Sequence, residues 1–122
     1  MSKKVLVVDD HPITRQLTIK ILKQLDIEDV SEAGNGREAL DFLAENTVAL
    51  ILLDLSMPVM DGTEMLRQMK ADDRFAQIPV VMVTAAVEQY RVDEALELGA
   101  ASCLLKPIAK QPLSDVVSRF LA

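Results

Sequence analysis

Ala49-Leu50-Ile51-Leu52-Leu53-Asp54 decides how the rest of the chain is read. Five consecutive apolar residues, bounded by turn formers and too few for a lone helix, predict a strand buried on both faces, which usually means parallel pairing. A charge has no place inside such a core, so Asp54 must stand where the sheet opens. In open parallel α/β sheets the carboxyl ends of the strands are where ligands bind. Leu55-Ser56-Met57-Pro58 then leads to a turn at Asp61-Gly62.

Working outward, the same arrangement recurs. Val5-Leu6-Val7-Val8 is a second apolar run, rich in β-branched residues, and it ends in two carboxylates, Asp9 and Asp10. His11 follows and is read as a residue of the helix start rather than a metal ligand. Pro12 suits the first turn of a helix whose inward positions are read as Ile13, Leu17, Ile21 and Leu25, with Leu22 alongside. Asp29-Val30-Ser31-Glu32-Ala33 alternates polar and apolar, as an exposed edge strand does. Gly34-Asn35-Gly36 lacks the third glycine of a dinucleotide loop and follows the weakest strand, so it is read as a turn. Ala39, Leu40 and Leu43 form the inward stripe of the next helix.

Beyond Asp54, Asp61-Gly62-Thr63-Glu64 reads as a variant capping box that opens a helix with Leu66 and Met69 inward. Ile78-Pro79-Val80-Val81-Met82-Val83 is another apolar strand, ending in Thr84 with Ala85 and Ala86 after it. Its helix, about Glu88 to Leu98 with Tyr90 packing on it, stops at Gly99. Ser102-Cys103-Leu104-Leu105 leads to Lys106-Pro107, and Leu113, Val116, Val117, Phe120 and Leu121 mark a last helix after Pro112. Strand followed by helix, five times over, predicts one α/β domain over residues 1–122. Its architecture is a doubly wound, five-stranded parallel (βα)5 sheet in the flavodoxin-like order 2-1-3-4-5.

Composition narrows the function. A formal charge of -6, from 13 basic and 19 acidic residues, argues against direct nucleic-acid binding, which rests on Lys and Arg neutralising phosphates. No apolar run approaches the roughly 20 residues of a membrane span, and Met1-Ser2-Lys3-Lys4 precedes too short an apolar segment for a signal peptide. A cytoplasmic protein with no membrane contact is expected. The single cysteine, Cys103, has no partner for an internal disulfide and is read as a small, half-buried strand residue.

Four of the five strands end in a functional group: Asp9 and Asp10, Asp54, Thr84, and Lys106. In the expected order all converge on one rim. Carboxylates brought that close repel by roughly 4 kcal/mol per pair at 4 Å and an effective dielectric of 20. Lys106 and a divalent cation relieve that cost. Oxygen ligands with room for water and phosphate suit Mg²⁺. A carboxylate surrounded by a metal, a hydroxyl and an ammonium points to phosphoryl transfer, with Asp54 as the nucleophile.

These motifs, namely Asp9-Asp10, Asp54 with Met57-Pro58 and Asp61-Gly62, Thr84-Ala85 and Lys106-Pro107, resemble the receiver domain of two-component response regulators. The resemblance covers essentially the whole chain. It implies a chemotaxis-regulator-like fold and a phosphorylation-dependent switch in which Asp54 accepts a phosphoryl group from a sensor histidine kinase or a histidine phosphotransfer protein. By the resemblance, Asp10, Asp54 and the carbonyl of Ser56 hold Mg²⁺, with Asp9 acting through water. Thr84, the Ala85 amide and Lys106 bind phosphoryl oxygens with Ser56 flanking the group, and a cis peptide precedes Pro107. Such a domain catalyses only its own phosphorylation and dephosphorylation. It signals to a downstream protein or to an output domain outside this chain, as a monomer or weak dimer. The usual inward-turning aromatic three residues before the lysine is replaced here by Cys103. The competing readings are a Mg²⁺-dependent aspartyl-nucleophile phosphohydrolase and an unphosphorylated receiver-like scaffold. Against the first, Ser56 stands where such enzymes carry a second acid.

Overall fold

The computed structural model describes residues 3–55, 57 and 59–121, without the side chains of Ala86 and Val87. Strands β1 (Val5–Val8), β2 (Val30–Ala33), β3 (Leu50–Asp54), β4 (Val80–Thr84) and β5 (Ser102–Leu105) form one parallel sheet in the order β2-β1-β3-β4-β5. Helices α1 (Pro12–Gln24), α2 (Gly36–Leu43), α3 (Gly62–Lys70), α4 (Val92–Glu97) and α5 (Lys110–Leu121) alternate with them. The expected α/β order is therefore the observed one.

Side chains along a strand alternate between faces, and here the alternation sorts two cores. Leu6, Val8, Ile51, Leu53, Val80 and Met82 pack with α2, α3 and α4 through Leu43, Met65, Leu66 and Ala95. Val5, Val7, Leu50, Leu52, Val81 and Val83 pack with α1 and α5 through Ile19, Leu22, Leu113 and Val116. Covering both faces is what makes β1, β3 and β4 continuous apolar runs. The edge strand β2 keeps Val30 and Ser31 half-buried and Glu32 exposed, the more exposed edge position expected of it, although its burial does not strictly alternate.

Helix ends follow local chemistry. Asn35 caps α2 by accepting from the Glu38 amide at 2.9 Å, while Glu38 Oε1 accepts from the Gly34 amide at 3.1 Å. Asp61 caps α3 through the Glu64 amide at 3.0 Å. Pro112 lies in the first turn of α5, where its missing N–H costs nothing.

Three expectations are corrected. Ile13 and Leu17 are exposed, at 86% and 47%, and α1 instead buries Thr18, Ile19, Ile21 and Leu22. The helix expected from Glu88 begins as a 3-10 turn, Ala86–Arg91, before α4. Tyr90 within that turn is 80% exposed rather than packed down on its helix.

Val59 carries visible backbone strain. It sits at φ 69 in the left-handed region and is 82% exposed, so no packing of its side chain compensates. That region costs an L-residue about 1–2 kcal/mol, and Asn tolerates it better. Val59→Asn should therefore raise stability by about 1 kcal/mol in chemical denaturation. No gain would mean that the backbone there is relaxed.

Candidate functional site

The carboxyl ends of β1, β3, β4 and β5 meet at one rim, because their order in the sheet sets them side by side. Asp9 follows β1 and is 5% exposed. Its amide bonds the Ala33 carbonyl at 3.1 Å, its carbonyl accepts from Arg15 at 2.6 Å, and its Oδ1 accepts from the His11 amide at 2.8 Å. Asp10 is half-buried beside it, with Oδ1 out of solvent and without a hydrogen-bond partner.

Asp54 ends β3 and is 2% exposed. Lys106 Nζ approaches its Oδ1 at 3.1 Å and Asp9 Oδ2 at 3.9 Å. The nearer approach is an ion pair off the hydrogen-bonding angle, so both Asp54 oxygens lack a hydrogen-bond partner. On the core side Val7, Leu52, Val83 and Ile108 bound a void of about 10 Å³ beneath Asp9 and Asp54. Burial therefore dominates and pushes the Asp54 carboxyl up to about 6, against the opposing pull of Lys106 and with a further push from Asp9 and Asp10.

Thr84, fully buried at the end of β4, donates its hydroxyl to the Ala85 carbonyl at 3.1 Å. Its own carbonyl accepts from the Lys106 amide at 2.7 Å, which registers the lysine against β4. The Lys106–Pro107 peptide is cis, as the resemblance implied. Ser56 and the Ala86 side chain lie outside the described residues, so the Ser56 carbonyl, expected as a metal ligand, is not placed.

Asp9, Asp10 and Asp54 come together with a fourth group, His11. One donor atom of each lies within 4.8 Å of the others. His11 is the N-cap residue of α1, as its place at the helix start implied, but its side chain makes no capping bond and turns toward the carboxylates instead. Arg91 is a second addition to the sequence reading. It reaches from the 3-10 turn to Asp61 Oδ2 at 3.2 Å and to the Thr63 hydroxyl at 3.3 Å, so it joins the loops after β3 and β4. Burial would raise Asp61, but the Glu64 amide, the Thr63 hydroxyl and Arg91 together hold it below its ordinary value. Cys103 is half-buried and its thiol is pushed up by burial, which disfavours the reactive thiolate.

Chemically, the rim offers buried carboxylate oxygens with unused lone pairs and one ammonium. That donor set fits a hard divalent cation. Asp54 Oδ is the only described oxygen of the rim that is both deeply buried and paired with Lys106 at hydrogen-bond distance. Among the described residues no helix is long and apolar enough to cross a membrane.

Comparison with known proteins gives the same picture. The family model of the response regulator receiver domain matches residues 5–118. Chemotaxis protein CheY1 of Helicobacter pylori strain J99 is 36% identical over 113 residues, covering 92% of this chain and 91% of that protein. Among solved structures, the signal receiver domain of a signal transduction histidine kinase from Syntrophus aciditrophicus superposes with a TM-score of 0.88. It is 32% identical, over 98% of this chain and 90% of that one. Chemotaxis protein CheY4 of Vibrio cholerae also gives 0.88, at 30% identity, over 99% of this chain and 100% of that one.

Proposed function

Because this chain belongs to the response regulator receiver domain family, whose members are phosphorylation-dependent signalling switches, we propose that Asp54 is the residue phosphorylated. The observation that carries the assignment is the state of its carboxylate: buried, without a hydrogen-bond partner, and 3.1 Å from Lys106. An Asp54 oxygen attacks the phosphorus of a phosphohistidine on a sensor histidine kinase or phosphotransfer protein. The new O–P bond forms as the N–P bond breaks, and the electron pair leaves with the imidazole. The product is an acyl phosphate.

Lys106 serves first as the counter-charge of Asp54 and then as partner of a phosphoryl oxygen. Thr84 re-aims its hydroxyl from the Ala85 carbonyl to a second oxygen, and the Ala85 amide takes part beside it. Asp10, Asp54 and the Ser56 carbonyl would hold Mg²⁺, with Asp9 acting through water. When bound, the ion neutralises charge on the carboxylate and on the transferring phosphoryl group. The domain turns over nothing but its own phosphoryl group. It works in the cytoplasm and passes the signal to a protein target or to an output domain outside this chain.

Intact mass tests this reading. Incubation with Mg²⁺ and a small acyl phosphate should add one phosphoryl group to the wild type, and none to Asp54→Ala or in chelator. A folded wild type that takes up nothing, or an Asp54→Ala variant that takes up as much, would overturn it.

A further inference from the structure

The expected site is built of oxygen ligands alone, yet the structure brings an imidazole into it. We propose that His11 is a further ligand of the metal site, so that its ring enlarges the site's preference for borderline ions such as Co²⁺ and Ni²⁺ over Mg²⁺. The inference rests on the reading of the rim as a metal site.

Three observations support it. The first is that the His11 side chain has no structural work at the start of α1. Its backbone carbonyl accepts from the Arg15 amide at 2.9 Å and its amide bonds Asp9, but the ring caps nothing and is two-thirds exposed. The second is where the ring goes instead. Nδ1 lies 3.1 Å from Asp10 Oδ1 and 3.6 Å from Asp9 Oδ1. Around an ion with bonds of about 2.1 Å, neighbouring ligand atoms are about 3 Å apart and opposite ones about 4.2 Å. Donors of Asp9, Asp10, His11 and Asp54 that all lie within 4.8 Å of one another meet that requirement without a large rearrangement.

The third observation is independent of the histidine. Asp10 Oδ1 and both Asp54 oxygens are buried without a hydrogen-bond partner. Among the described residues Lys106 is the one ammonium near Asp54, and the three oxygens keep electron pairs that no hydrogen-bond donor uses. A plain His–Asp ion pair would leave Asp54 as it is. A shared cation serves all four groups at once.

The preference follows from ligand chemistry. Carboxylates already bind Co²⁺ and Ni²⁺ more tightly than Mg²⁺, and an imidazole ligand widens that gap, so the size of the gap, not the order of the ions, reports on His11. His11 is the chain's only histidine, so an untagged protein gives a single imidazole signal. The experiment titrates wild type, His11→Ala and His11→Asn with MgCl₂, CoCl₂ and NiCl₂ by calorimetry. The ring protons of the wild type are followed by NMR as Co²⁺ is added.

The expected result is that the Ni²⁺-to-Mg²⁺ affinity ratio falls roughly 10- to 100-fold in both variants. The His11 ring protons should also leave the diamagnetic region on stoichiometric Co²⁺. A ratio unchanged by either substitution, or ring protons that stay in place, would overturn the proposal. If Mg²⁺ still supports phosphorylation of Asp54 in that event, only the role of His11 falls. If the wild type binds neither ion, the metal-site reading falls with it.

Discussion

Gly62→Ala should cost the domain about 3 kcal/mol, lowering its melting temperature by roughly 10 °C. Gly62 is the first residue of α3, and its amide bonds the Leu55 carbonyl at 2.9 Å, which draws the helix start against the end of β3. A methyl group there would fall onto the backbone carbonyl oxygen of Asp54, with Leu55 Cα at 3.0 Å and Met82 Cε at 3.1 Å. Met82 could shift. The β3 backbone could not, because it is paired with β1 on one side and β4 on the other. The strain must therefore move the start of α3 or Asp54 itself. Gly34→Ala is the control, since its added methyl group would meet nothing closer than the Glu38 carboxylate at 3.5 Å. Equal melting of Gly62→Ala and wild type would show that α3 slides freely over β3.

Asp54→Asn should stabilise the domain in chelator at neutral pH, by up to about 3 kcal/mol. The folded protein holds the Asp54 carboxyl up at about 6, whereas the unfolded chain titrates near 3.8. Between those values the native state keeps a proton that the unfolded state has released, so stability falls as pH rises through the window. Below it the cost is absent, and above it the cost is full. Asparagine keeps the shape and removes the titration. The difference between the two denaturation curves should thus be small at pH 4 and grow to its plateau above pH 6. Other carboxylates titrate in both proteins and cancel. An Asn variant no more stable than wild type at pH 7.5 would contradict the burial cost. The site is thus costly when empty, which is the condition for an incoming cation or phosphoryl group to stabilise it.

Most of the rim was legible in the sequence because the sheet is parallel and doubly covered. A strand buried on both faces is apolar throughout, so Asp9, Asp10, Asp54 and Thr84 stood out as its terminators. The strand order then placed Lys106 within reach. What failed, failed for geometric reasons. Steps of four residues drift by about 40° around a helix of 3.6 residues per turn, so Ile13 lies about 120° from Leu25. The apolar pattern of α1 was real but did not lie on one face, and the buried face runs through Thr18 and Ile19. Tyr90 falls in a 3-10 turn, whose shorter period a helical pattern does not describe. The His11 ring direction is a rotamer choice made by the acidic neighbourhood. Arg91 meets Asp61 across 30 residues of sequence, and nothing local marks that pair.

The Arg91 contact also bears on how the domain opens. Its guanidinium joins the 3-10 turn after β4 to the capping residues of α3, two segments that no backbone bond between them ties together among the described residues. Segments joined in this way tend to unfold locally as one cooperative unit. Hydrogen exchange should then show the amides behind Asp54 and those behind Thr84 sharing one opening event, although they sit on different strands. A change felt at either strand end is read out as a change in the protection of both.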